Sequence, residues 1–212
     1  ENYLYSMCNI LKGLGININT VPVMDTLLKN TSTFISNRSY SCDLKTIKFL
    51  GSLCESIYKK NKIATVVKHI PGHGRTSSDS HLVLPVIKDS YKKLLKSDFA
   101  CFKGCKSLFA MTAHILFKNI DNTEPATHSS KIINEIIRKK IGFKGILISD
   151  DISMRALKND LITNAKKALS SGCNLVLHCS GDYRETYKLL KEMPYIDKFT
   201  LKKTSEFYKF LS

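Results

Sequence analysis

Ile63-Ala64-Thr65-Val66-Val67-Lys68-His69-Ile70-Pro71-Gly72-His73-Gly74-Arg75-Thr76-Ser77-Ser78-Asp79-Ser80-His81 joins a short β-branched run to a tail rich in turn residues and histidine. Ile63 to His69 reads as a strand. Its apolar residues are nearly continuous, as they must be when both faces of a sheet are covered. Pro71, Gly72 and Gly74 then interrupt regular structure, and small polar residues follow. That is the composition of a mobile loop over a site.

The same rhythm extends in both directions. Residues 2–13 read as a helix, and Ile16 to Met24 as a buried strand cut by Pro22. Apolar spacing predicts helices over 43–60, 88–103, 129–140 (capped by Ser129 or Ser130), 160–171 (closed by Gly172), 183–192 and 200–211. Further strands are expected at Leu108 to Ile115, Gly145 to Ser149 and Asn174 to Cys179. Five strands alternating with helices, without hairpin signals, predict a parallel α/β fold. Polar residues follow each strand: Asp25, then Lys68 to His81, then His114, Asp150 and His178. Chemistry sits at such C-terminal strand ends in barrels and in doubly wound sheets. No Gly-rich nucleotide loop is present, which favours the barrel.

The 212 residues suggest one domain or part of a larger one, and 43% hydrophobic content is enough to bury a core. The chain begins at Glu1 on a helix already under way, so upstream residues are expected. No apolar run approaches the ~18–20 residues of a membrane span, and no signal-peptide pattern opens the chain, so a membrane partner is not expected. The formal charge of +15 is almost all lysine in an Ile- and Asn-rich chain. That mixture fits an AT-rich genome and a solvated surface better than a nucleic-acid partner. Seven irregularly spaced cysteines read as free thiols in a reducing compartment, hence a cytoplasmic protein. Cys101-x-x-x-Cys105 lacks a second pair for zinc, and Cys173 and Cys179 read as packing residues.

Two segments carry chemistry. In an extended stretch Asp79 and His81 point the same way, so the carboxylate can hold one ring nitrogen and leave the other for substrate. It also favours the imidazolium, and hence acid catalysis near neutral pH. The bland alternative is a loop His and a loop Asp bonding the backbone. Ser149-Asp150-Asp151 follows the strand Ile146 to Ile148, where a carboxylate is placed to act as a nucleophile or metal ligand. Asp151 is expected to cap a helix over Ile152 to Leu157. His69, His73, Asp79 and His81 could together supply metal ligands, but the His69-x-x-x-His73 spacing spans Pro and Gly rather than a helix, so no metal is expected. His114 and His178 are read as wall residues or ligand contacts, and His128 as a surface residue.

Lys68 to Pro85 (K-H-I-P-G-H-G-R-T-S-S-D-S-H-L-V-L-P) resembles glycoside hydrolase family 3, specifically the bacterial β-N-acetylglucosaminidases of peptidoglycan recycling, the NagZ type. Ile18 to Asp25, Asn37 to Tyr40, Met111 to His114, Glu124 to Thr127 and Ile141 to Met154 agree in the same order. The resemblance implies a (β/α)8 TIM-type barrel and a retaining exo-glycosidase. Asp150 matches the nucleophile, His81 the histidine acid/base with Asp79 as its partner, and Arg38, Lys68 and His69 sugar-binding positions. The implied substrate is terminal GlcNAc β-linked to muropeptide-type sugars, with no cofactor. About two barrel strands that the family carries upstream of Ile18 are not present. The expectation is therefore a single barrel domain over 1–212, incomplete at its N-terminus, in a monomer. A sugar-binding remnant and a β-glucosidase-like hydrolase are the alternatives.

Overall fold

The computed structural model describes residues 1–212. Chain order runs α1 (Asn2–Gly13), β1 (Ile18–Asn19), α2 (Thr33–Ser36), α3 (Leu44–Lys60), β2 (Ala64–Ile70), β3 (Val86–Ile87), α4 (Tyr91–Lys96) and α5 (Asp98–Cys101). It continues through β4 (Phe109–Thr112), β5 (Leu116–Phe117), a π-helix (Ile132–Ile141), β6 (Ile146–Asp151), α6 (Leu161–Ser171), β7 (Leu175–Leu177), α7 (Tyr183–Glu192) and α8 (Lys198–Leu211). Aspartates start four of the longer helices. Asp43, Asp160, Asp182 and Asp197 each accept a backbone N–H of the first turn. Each such cap stabilises its helix by about 0.5–2 kcal/mol. Gly172 closes α6 in the left-handed region, as expected.

Five strands form one parallel sheet in the order β1-β2-β4-β6-β7. Each strand lies beside the one before it in sequence, and only the side pair β3–β5 stands apart. The sheet therefore winds one way, with no switch point of the kind that defines a doubly wound sheet. This is the α/β arrangement of a TIM-type barrel carried through five strands, open at β1 and β7.

Alternation along the strands separates two cores. Val67, Ala110 and Leu147 face the helical layer, with Ile47, Phe99, Ile133 and Ile137. Ala64, Val66, Phe109, Met111 and Ile146 face the other way, toward the concave side, and there they meet Phe207 of α8. The Phe109 and Phe207 rings lie edge to face at 5.4 Å. Lys62 donates to the Phe210 carbonyl just before β2, and Asn174 to Thr200 just before β7. Thus α8 crosses the N-terminal ends of the strands and closes that end. Burying one such aromatic contributes roughly 1.5–3 kcal/mol. The C-terminal strand ends stay open.

Several sequence expectations need correction. The strand over Ile16 to Met24 shrinks to Ile18–Asn19 plus a single bridge from Val23 to Lys68, because Pro22 has no N–H for the ladder. The helix expected over 88–103 begins later and breaks at Ser97, whose hydroxyl is engaged by Asp98 and Arg75. The 129–140 helix is wound as a π-helix over Ile132–Ile141. Buried isoleucines at 132, 133, 136, 137 and 141 suit either winding, so apolar spacing does not separate the two. No helix forms over Ile152 to Leu157; Asp151 instead holds a turn, accepting from Ser153. His128 is buried rather than superficial, with Nε2 on the Asn164 carbonyl, and Cys179 is exposed rather than packed. No helix is long and apolar enough to cross a membrane.

Candidate active site

The floor of the open end is built on Asp25. Its carboxylate is enclosed, at 1% exposure, and accepts from the backbone N–H of His69 (3.1 Å) and of His73 (2.7 Å). The His69 ring adds a third bond, Nδ1 to Oδ2 at 2.7 Å. Burial pushes the Asp25 carboxyl pKa up, but the His69 ring and the His73 contacts outweigh it and hold it below the ordinary range. An ionised carboxylate only accepts, so His69 carries its proton on Nδ1 and leaves Nε2 free for another partner.

His73 is held by both ring nitrogens, Nδ1 at 3.0 Å from the Thr76 hydroxyl and Nε2 at 3.1 Å from that of Ser80. Burial pushes its pKa down to about 4, so it is neutral at pH 7. Gly74 lies so close to the Thr26 backbone that a Cβ would meet its carbonyl oxygen at 2.0 Å. Arg75 pairs with buried Asp98 at 2.7 Å. The stem of the loop is therefore fixed from several sides.

Its tip is not. Asp79 and His81 are joined by Oδ1 to Nδ1 at 2.8 Å, with side chains 33% and 47% exposed. The pair forms as the sequence predicts, but through a different backbone. The segment is a turn in which Leu82 and Val83 donate to the Asp79 carbonyl and His81 N–H to the Asp79 carboxylate. Burial pushes the Asp79 pKa up, and the His81 backbone and ring contacts bring it below its usual value. The His81 Nε2 has no protein partner. Between the two, Ser80 is buried against His73.

Asp150 ends the concave-side series Ile146, Ile148, Asp150 on β6, and Lys68 ends Ala64, Val66, Lys68 on β2. The only protein donor to the Asp150 carboxylate is the Asp151 N–H, at 2.9 Å. Burial pushes its pKa up, yet His69, His114, that N–H and Lys68 together bring it below the ordinary carboxylate range. It is ionised at neutral pH with most of its acceptor capacity free. Lys68 is lowered by burial and by the neighbouring Arg38 charge, and its Nζ donates to Thr20 at 3.2 Å. Arg38 donates through Nε to the Phe34 carbonyl at 2.9 Å, lies over the Phe34 ring at 4.1 Å, and keeps a buried Nη2 without a partner.

Of the histidines left open by sequence, His114 belongs to the wall. It is fully buried, with Nε2 on the Asp151 carbonyl and Nδ1 on the Thr127 hydroxyl. His178 is tied to Glu185 and Ser180. The structure does not gather His69, His73, Asp79 and His81 around one point, and no group of three or more His, Cys, Asp or Glu is placed to hold a metal ion. Two contributors carried little sequence signal: Asp25 as the partner of His69, and Phe34 beneath Arg38. A cavity of about 490 Å³ at the other end of the strands, lined by Glu55, Lys59, Lys106 and Phe210 among others, includes none of these residues.

Residues 5–203 match the model of the Glycosyl hydrolase family 3 N terminal domain. The chain is 31% identical over 183 residues to a beta-hexosaminidase of Bordetella pertussis, covering 84% of this chain and 51% of that one. It is 31% identical over 182 residues to a beta-hexosaminidase of Haemophilus influenzae, covering 83% and 51%. The chain spans about half the length of the curated relatives it matches. Among solved structures, NagZ from Neisseria gonorrhoeae in complex with N-trifluoroacetyl-D-glucosamine superposes with a TM-score of 0.85 at 26% identity, over 99% of this chain and 60% of that one. A family 3 beta-N-acetylglucosaminidase from Paenibacillus sp. superposes with a TM-score of 0.87 at 26% identity, over 98% and 42%.

Proposed function

The chain belongs to glycosyl hydrolase family 3, and from that premise we propose that it carries the reacting groups of a retaining β-N-acetylhexosaminidase acting on terminal β-linked GlcNAc of muropeptide-type substrates. The observation that carries the reading is the state of Asp150. It is an ionised carboxylate at a strand's C-terminal end, with one protein donor and free acceptor capacity. That is what a nucleophile at an anomeric carbon requires.

In the first step Asp150 attacks the anomeric carbon while imidazolium His81 protonates the leaving oxygen. In the second, neutral His81 takes a proton from water, which attacks the glycosyl-enzyme and releases the sugar with its configuration retained. Retaining glycosidases usually divide these roles between two carboxyl groups about 5–5.5 Å apart. Here one role falls to a histidine whose Nδ1 is held by Asp79, leaving Nε2 to exchange the proton. Because His81 stands on an exposed turn, it comes onto the sugar when substrate binds. Arg38, Lys68 and His69 take the sugar hydroxyls. Residues 1–212 act as one barrel-type domain, as a monomer in the cytoplasm; seven unpaired cysteines support the reducing compartment.

The test is turnover of an aryl β-N-acetylglucosaminide by this chain, by an N-terminally extended version and by Asp150→Ala in the active one, with the product anomer followed by NMR. Turnover with a β product, abolished in Asp150→Ala, is the expected result. If neither parent turns over while GlcNAc still binds, catalysis is excluded and a sugar-binding role takes its place.

A further inference from the structure

We propose that Phe34 is a positioning residue that holds the His81 ring and the Arg38 guanidinium on one aromatic platform, so that the acid/base and the sugar grip are set together. The proposal rests on the reading of His81 as the acid/base. Three contacts meet at Phe34. The His81 ring stands edge-on to it, with centroids 4.4 Å apart and planes at 77°. The Arg38 guanidinium carbon lies 4.1 Å from its ring centroid. Arg38 Nε also donates to the Phe34 carbonyl at 2.9 Å, so backbone and ring hold the same cation.

The platform is fixed to the stem of the loop it serves. Thr31 donates its hydroxyl to the Gly74 carbonyl at 2.6 Å, and Ser32 N–H donates to the Thr76 carbonyl at 2.8 Å. Ile35, the next residue after Phe34, is fully buried and anchors α2. Phe34 therefore stands on the stem as the surface that the His81 ring meets, while Asp79 and His81 lie on the exposed side. Ser80, held by His73, is the polar pin between them. An imidazole with one nitrogen on Asp79 can still turn its ring plane, and the Phe34 edge contact is the one aromatic restraint on that rotation. A π face also favours a cationic partner, so Phe34 stabilises the Arg38 guanidinium that lies over it.

The chemical consequence is selective. Leaving groups that depart without protonation do not need a well-aimed acid, whereas poor ones do. Phe34→Leu is therefore expected to lower kcat/KM about five- to tenfold for alkyl or weakly acidic phenol leaving groups, and much less for a dinitrophenyl glycoside. Phe34→Tyr, which keeps the ring, is expected to restore the parent pattern. An equal loss on both substrates would mean that the fold or the Arg38 grip, but not the aim of His81, depends on Phe34, and that outcome overturns the proposal. A second readout needs no turnover: the His81 ring signal in a ¹H–¹³C spectrum, identified by its loss in His81→Gln. The signal is expected to move in Phe34→Leu and to stay in Phe34→Tyr. An unmoved signal in an active parent overturns the role of Phe34 alone. A moved signal in a parent with no turnover on any glycoside overturns the acid/base reading, and the positioning role with it.

Discussion

Two aspartate–histidine pairs in this molecule have almost the same bond, Nδ1 to carboxylate at 2.7 Å in His69–Asp25 and at 2.8 Å in His81–Asp79. Their surroundings are opposite. The first pair has side chains 4% and 0% exposed, and its carboxylate takes two further backbone N–H donors; the second has side chains 47% and 33% exposed on a turn. One bond geometry thus serves two ends. Enclosed, it pins β2 and the loop stem to the Asp25 segment. Exposed, it orients a ring and leaves that ring free to move. The local motif does not assign the role; what surrounds the motif does.

The comparison breaks most decisively at Asp25. Asp25→Ala leaves three donors of β2 and the loop stem without their acceptor, and a loss of about 3–5 kcal/mol is expected in denaturant unfolding. A loss under 1 kcal/mol would show that the enclosed pair is not structural. Next comes His81→Gln, expected to lower kcat about 10²–10⁴-fold on substrates with poor leaving groups while the denaturation midpoint stays in place. A shifted midpoint would make the exposed pair structural too. Acid titration probes the enclosed side. His73 and His128 are both held down to about 4 by burial, below the ordinary imidazole value of 6.5. The unfolded chain therefore binds protons that the folded chain refuses. Their contribution to stability is fully present above about pH 6.5 and is lost as pH falls toward 4, at about 1.4 kcal/mol per pH unit for each histidine. Asp25, whose folded pKa is lowered, adds a loss only as pH falls below the ordinary carboxylate value of 3.8. Thermal melts across pH 7 to 4 should show this slope, and replacing His128 by Asn should reduce it by one proton's worth. The smallest effect is expected for Asp79→Asn, with stability within about 0.5 kcal/mol of the parent; a larger change would contradict the division of roles.

Much of this was readable from residue order. The apolar runs Ala64 to Val67 and Ile146 to Ile148 became strands of one sheet, on either side of β4, and Asp150 and Lys68 fell toward their C-terminal ends because strand alternation is local information. Pairing of Asp79 with His81 is also local, two residues apart, and it survived a change of backbone from extended to turn. What sequence reading missed was decided over distance. Asp25 and His69 are 44 residues apart, and nothing in either segment names the other. The break at Ser97 follows from Arg75, 22 residues earlier, drawing on its hydroxyl. His128 looked superficial because its burial depends on the Asn164 carbonyl from α6. β3 and β5 pair over two residues each, too few for a period to register.

The sequential strand order also has a consequence in time. Each new strand finds its neighbour already made, so the sheet can grow in the order of synthesis without waiting for distant segments. The end under Phe109 and Ile146 cannot. It stays bare until α8 has left the ribosome, some sixty residues after β6 begins. During that interval the apolar strand ends are the surface that most needs shielding.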